Sequence, residues 1–120
     1  MKLTKGEEEI MKIIWEIEPC LVSDIIDYIG KPNTPHSTIS SIVRILEKKG
    51  FVDHKAYGRT HEYFSLVSKE KYSGARLKKM MKDYFDGSAT RLVSFLVNEK
   101  EIDSEELNEL LNQMEKEEDA

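Results

Sequence analysis

"TPHSTISSIVRILEKKGF", residues 34–51, has the period of a helix that buries one stripe. Ile39, Ile42, Val43 and Leu46 fall at i, i+3, i+4 and i+7. Thr34 is placed to cap this helix, and Pro35 suits its first position. Gly50 is the expected left-handed terminator, with Phe51 folding back over the last turn. The opposite face carries His36, Ser37, Ser40, Ser41, Arg44 and Lys48. Long Glu and Lys side chains usually fill an exposed helix face, because they suit both a helix and water. Small hydroxyls around one arginine are a different choice. They let a helix approach base edges and phosphates, where bulky or acidic groups would hold it off. Each residue also has a plainer use. Ser37 can be a cap, and Arg44 a surface ion-pair residue. Ser40 and Ser41 lie beyond the first turn and are poor helix formers, so capping does not account for the whole face.

The flanking segments fit around this helix. "LTKGEEEIMKIIWEIEP", residues 3–19, predicts a helix with Thr4 and Glu7 at capping-box spacing and Pro19 as its stop. Its apolar side holds Met11, Ile14 and Trp15, with Ile10 and Ile17 beside them. "VSDIIDYIG", residues 22–30, predicts a short helix with Ser23 as N-cap and Gly30 as terminator. After Gly50 the period changes. "FVDHKAYGRTHEYFSLV", residues 51–67, is two β-prone runs around Gly58, a hairpin that Tyr63, Phe64 and Leu66 can return to the core. Three helices followed by a hairpin make a winged helix-turn-helix over residues 1–67. At the hairpin tip Lys55, Tyr57, Arg59 and Thr60 suit phosphate or minor-groove contact. Thr38 completes the candidate DNA-contacting set on the third helix.

Residues 68–120 predict three more helices. Ser68 caps the first, with Val67 and Tyr72 at staple spacing; Gly87 breaks it; "ATRLVSFLVN" is the second; Asp103 and Glu106 cap the third. "EKEEDA", residues 115–120, reads as a frayed tail. The apolar load is large for short helices after a completed domain. Tyr72, Leu77, Met80, Met81, Tyr84 and Phe85 come first, then Leu92, Val93, Phe95 and Leu96, then Leu107, Leu110, Leu111 and Met114. Packing within one chain is the plain alternative. A second copy would bury more of it, making a symmetric dimer with two recognition helices for a palindromic site. The fold class expected is mainly α with a small β-hairpin wing and a C-terminal helical dimerisation segment.

Composition sets bounds on function. The chain has 120 residues, 39% hydrophobic and 34% charged, enough for one domain plus an appended segment. It has no apolar run of 18 residues and no signal-like stretch near Met1, so no membrane insertion and a cytoplasmic location are expected. Cys20 is the single cysteine, so no internal disulfide forms. The net charge is -5, but residues 35–61 hold five basic against two acidic groups, and residues 98–120 two basic against ten acidic. That asymmetry suggests a basic working surface and an acidic segment elsewhere. No nucleophile elbow, P-loop, dinucleotide fingerprint or zinc-protease motif is present, so no enzyme is expected. His54 and His61 can face each other across the hairpin. No Cys or further His completes a set at ligand spacing, so neither metal nor cofactor is expected.

Four stretches resemble the BlaI/MecI/CopY (penicillinase repressor) family, in order and over nearly the whole chain. "LTKGEEEIMKIIWE" is similar to the opening "L-T-x-x-E-x-x-[IV]-M-x-x-[IL]-W". "STISSIVRILEKKGFVDH" is similar to "T-[VI]-x-T-[LI]-[LIV]-x-R-L-x-x-K-G". "GRTHEYFSLVSKEKY" resembles the family's wing, and "GSATRLVSFLVNEKEIDSEELNELLNQ" its dimerisation end. The resemblance implies a dimeric winged-helix repressor of double-stranded operator DNA with TACA/TGTA dyads. It implies a membrane sensor metallopeptidase, or a protease downstream of it, as a further partner in antibiotic-resistance regulation. The family's cut at Asn-Phe corresponds to Ser94–Phe95 in "LVSFLV", where Ser94 replaces Asn. Ile45 stands where the family Arg usually sits, and Arg44 is displaced by one position. Arg44 therefore reads either a base or a phosphate. The copper branch's Cys-rich motif has no counterpart in "NQMEKEEDA". A winged-helix module that binds a protein partner instead of DNA is the alternative the fold leaves open.

Overall fold

The computed structural model describes residues 2–118, without the side chains of residues 117 and 118. Three helices come first, α1 (Lys5–Ile17), α2 (Val22–Ile29) and α3 (His36–Lys48). The hairpin β1 (Val52–Tyr57) and β2 (Thr60–Ser65) follows, then α4 (Lys69–Tyr84), α5 (Ala89–Asn98) and α6 (Ser104–Glu118). The fold is the winged helix-turn-helix with appended helices that the sequence predicts. It divides into two compact units, the first running to Ser73 and the second starting at Gly74.

Local signals set most boundaries. The Glu7 amide donates to Thr4 Oγ1 at 3.2 Å and the Thr4 amide to Glu7 Oε1 at 3.0 Å, closing the capping box of α1. Glu7 also receives Lys49 Nζ at 2.5 Å, tying the start of α1 to the end of α3. Lys49, more than the Thr4 amide, holds the Glu7 carboxyl below its ordinary value against the opposing effect of burial. Gly50 takes φ +84° and the Phe51 amide bonds back to Leu46 O at 2.9 Å, which puts the Phe51 ring in the core. Gly58, at φ +64°, holds the first position of a two-residue hairpin turn.

Two caps differ from expectation. Leu21, not Ser23, is the N-cap of α2, because Asp24 Oδ2 reaches back to the Leu21 amide at 2.8 Å. Pro35 caps α3, and the Thr34 hydroxyl donates instead to Lys31 O at 2.9 Å, closing the turn before it. The tail expected from residue 115 is helical as far as Glu118, and residues 119–120 lie outside the described residues.

The core belongs to the first unit. Met11, Ile14, Ile25, Val43 and Leu46 are fully buried where the three helices meet. The wing is fastened to them by a bridge. Cys20 and Tyr63 exchange backbone hydrogen bonds of 3.0 and 2.7 Å, so the chain after α1 runs beside β2 as a third short strand position. The Glu18 carboxylate adds bonds to the Ser65 amide and hydroxyl, at 2.9 and 2.8 Å for Oε1. Strand alternation sends Tyr63 inward, leaves Phe64 half-buried, and Leu66, beyond the strand, is 56% exposed rather than in the core.

Ser68 caps α4 through the Lys71 amide at 3.0 Å, as predicted. The first turn of α4 belongs to the first unit, because Tyr72 reaches back into its core. Its ring lies 5.6 Å from Trp15 and 5.7 Å from Phe51, and its hydroxyl donates to Glu8 Oε2 at 2.7 Å. Tyr72 is therefore core and not part of a dimer face, and the compact unit extends past residue 67 for the same reason. In the second unit, Ser88 caps α5 through Arg91 N at 3.1 Å and Asp103 caps α6 through Glu106 N at 2.8 Å. Phe85 and Phe95 pack at 5.9 Å. Among the described side chains of this unit none is fully buried.

Leu46→Ala is expected to cost about 2–5 kcal/mol of stability, and Leu66→Ala under about 1, by chemical denaturation. Glu7→Gln should cost about 1 kcal/mol at neutral pH. Glu7 is depressed in the folded state, so its contribution is present above its ordinary value of 4.5 and is lost as pH falls through the lower folded value. The gap between wild type and Glu7→Gln should therefore close on acidification.

Candidate nucleic-acid interface

A helix turns about 100° per residue, so the burial of Ile39, Val43 and Leu46 fixes where every other α3 side chain points. Ser37, Ser41, Arg44 and Lys48 lie directly opposite the core, and all are exposed. His36, Ser40 and Glu47 lie on the flank turned toward the hairpin. They line a cleft of about 540 Å³, with Arg44 at its edge. Thr38 lies on the other flank beside Ile45, which is 42% exposed. The predicted face is thus an outward strip of hydroxyls, Arg44 and Lys48, with a cleft along one side and Thr38 along the other.

The remaining walls of the cleft come from Leu21, Val22 and Ser23 at the start of α2, and from His54, Arg59, Thr60, His61 and Tyr63 of the hairpin. Antiparallel register decides which wing residues reach it. His54 pairs with Tyr63 and Ala56 with His61 on the α3 side, while Lys55 pairs with Glu62 on the other. Of the four predicted wing contacts, Arg59 and Thr60 line the cleft. Lys55 and Tyr57 do not, though Tyr57 stands 61% exposed beside the turn. The two histidines face each other as expected, with ring centroids 4.1 Å apart and planes 11° from parallel.

Charge is distributed unevenly over this surface. Lys49, counted among the basic groups of the segment, is committed to Glu7. Burial pushes the Tyr63 phenol up, Glu47 adds to the shift and Arg44 opposes it, so both charges act at the cleft floor. Burial, with Asp24, Glu18 and Glu62 nearby, raises the Cys20 thiol to about 11, which suits a small core residue and not a nucleophile. Sequence periodicity does not reveal Ser23, Glu47 and His54 as cleft residues. Their meeting depends on how α2, α3 and β1 pack, and the only local hint is the His54–His61 spacing across the turn.

A helix-turn-helix whose third helix shows hydroxyls and arginine outward, beside a hairpin wing, is the architecture of a DNA-binding regulator. The family model described as Penicillinase repressor matches residues 3–116, and the chain belongs to that family of transcriptional repressors. It is 28% identical over 112 residues to the methicillin resistance regulatory protein MecI of Staphylococcus aureus (strain N315), covering 92% of this chain and 91% of that protein. It is 24% identical over 110 residues to the penicillinase repressor of Bacillus licheniformis, covering 91% and 86%. Among solved structures, a MarR/EmrR family transcriptional regulator from Acinetobacter sp. ADP1 aligns with a TM-score of 0.45 and 19% identity, over 98% of this chain and 75% of that one.

Arg44→Ala should weaken DNA binding by about 1–3 kcal/mol in a fluorescence-anisotropy titration. If Arg44 reads a base, the loss falls on the cognate site; if it meets a phosphate, the loss is uniform across sequences and lowers the salt slope. Arg59→Ala should weaken binding more than Lys55→Ala, because only Arg59 lines the cleft.

Proposed function

We propose that this chain binds a palindromic operator as a homodimer in the cytoplasm, represses transcription there, and is released by proteolysis within its C-terminal helices. The observation that carries the DNA half of this reading is the outward strip Ser37, Ser41, Arg44 and Lys48 set opposite a fully buried stripe. The strip offers donors for phosphates and base edges, and no acid stands on it.

The dimer half rests on the second unit. Leu77 is 44% exposed, Met80 46%, Phe95 49%, Leu110 and Leu111 47% each, and Met114 52%. A unit whose large apolar side chains stay half open gains most from a second copy. Met81, Phe85, Leu92, Val93, Leu96 and Leu107 are half-buried within the unit and would be completed by the same contact. Tyr84, at 80% exposure, stands furthest out. Two half-sites bound through one dimer gain affinity by effective concentration, often about 100-fold over a monomer.

The release step rests on α5. Ser94–Phe95 lies inside a helix of 10 residues that has no buried side chain. A short helix with no fully buried side chain of its own opens at lower cost than the core helices, and a protease needs an opened backbone. A cut there separates Leu107, Leu110, Leu111 and Met114 of α6 from the DNA-binding unit, and the dimer loses that surface. The protease would be a membrane sensor metallopeptidase or an enzyme downstream of it. The names of the two relatives above make regulation of antibiotic resistance part of this proposal.

The test is a gel shift of the purified protein on its own promoter and on a TACA/TGTA dyad, across protein concentration and salt. A cooperative, dimer-sized shift that collapses with rising salt is expected. No shift at low salt would sink the reading and favour a protein partner for the same surface. Leu110→Glu/Leu111→Glu should give a monomer in analytical ultracentrifugation and lose about 100-fold in operator affinity.

A further inference from the structure

Folding supplies the donors that spacing along the chain did not. Glu47 comes from the last turns of α3, and Asp53 and His54 from the start of β1. One ligand atom from each lies within 4.8 Å of the other two. His54 Nδ1 already sits against Glu47 Oε1, and both side chains are about one-third open to the cleft, 28% and 31% exposed. The His54 amide donates to Asp53 Oδ1 at 2.8 Å, holding that carboxylate beside the ring. The turn between the two elements is anchored by buried Phe51 and Val52, so the donors are placed by the core and not by a loose loop.

We propose that Glu47, Asp53 and His54 bind one divalent transition-metal ion, of which zinc fits best, and that the bound ion strengthens DNA binding by the adjacent α3 face. The second half rests on the proposed repressor function; the first does not. One imidazole and two carboxylates suit zinc, with water completing the shell, better than calcium or magnesium, which prefer all-oxygen sets. His61 stacks face to face on His54, and parallel rings do not point their nitrogens at one ion. His61 is therefore a positioning residue that fixes the His54 ring plane.

The link to DNA follows from charge. Glu47 and Asp53 are the only two acids in residues 35–61. Glu47 stands three residues from Arg44 on α3, with its carboxylate turned to His54, so its negative charge lies beside the strip that meets phosphate. A doubly charged ion neutralises both acids and so removes their repulsion of DNA phosphates at the adjacent α3 face. Reciprocity then requires DNA to raise zinc affinity by the same factor.

Equilibrium dialysis of the full chain against Zn²⁺ tests the site. One zinc per chain is expected in wild type and His36→Ala. Binding about 10-fold or more weaker is expected in His54→Ala and Glu47→Gln, with circular dichroism confirming that both fold. No saturable zinc at tens of micromolar, or unchanged binding in His54→Ala, overturns the site. Operator titrations test the coupling. Zinc should tighten wild-type binding about 5-fold or more. Glu47→Gln/Asp53→Asn should bind tightly without zinc and not respond to it. Zinc binding with no change in operator affinity overturns the coupling alone. Zinc binding with no DNA binding under any condition overturns the repressor reading and leaves the site standing.

Discussion

Burial of one stripe of α3 governs the rest of the molecule. Val43 and Leu46 are fully enclosed by α1, α2 and the base of the hairpin. Because side chains advance by a fixed angle along a helix, burying that stripe orients Ser37, Ser41, Arg44 and Lys48 outward with no further interaction required. The same constraint sets the wing. The chain leaves α3 through Gly50, drops Phe51 into the core, and can only start β1 alongside the last turn of α3. The cleft, its histidines and its carboxylates are consequences of that exit.

The features legible in the sequence are those decided within one turn of chain. The Thr4–Glu7 box, Ser68, Asp103, Gly50 and Gly58 each act on neighbours three or four residues away, and each does what its spacing indicates. Ser23 and Thr34 are not the caps their positions indicate, and the reason is physical. At the start of α2 the Asp24 carboxylate takes the Leu21 amide in place of Ser23, and before α3 the Thr34 hydroxyl is drawn to the Lys31 carbonyl. Leu66 looks like core in a list of apolar residues, but the strand ends before it.

The illegible features are long-range. No local pattern shows that Cys20 pairs with Tyr63, that Lys49 answers Glu7, or that Tyr72 belongs with Trp15 and Phe51. Tyr72 is the clearest case. On α4 it shares its surroundings in sequence with the exposed apolar residues that follow, yet its ring completes the first unit. The meeting of Glu47 with Asp53 and His54 is likewise hidden, because Glu47 comes from α3 and the other two from β1.

Trp15 gives these arrangements an optical signature. It is the only tryptophan in the chain, and its indole N–H donates to the Val67 carbonyl at 2.9 Å, with the Tyr72 ring beside it. Its emission therefore reports the join between α1 and the segment that leads into α4, and Tyr72 is close enough to act as an energy donor to it. All of these groups belong to the first unit. Intrinsic fluorescence can thus follow the integrity of the first unit while sedimentation follows association, and the two signals separate unfolding from dissociation in one unlabelled sample.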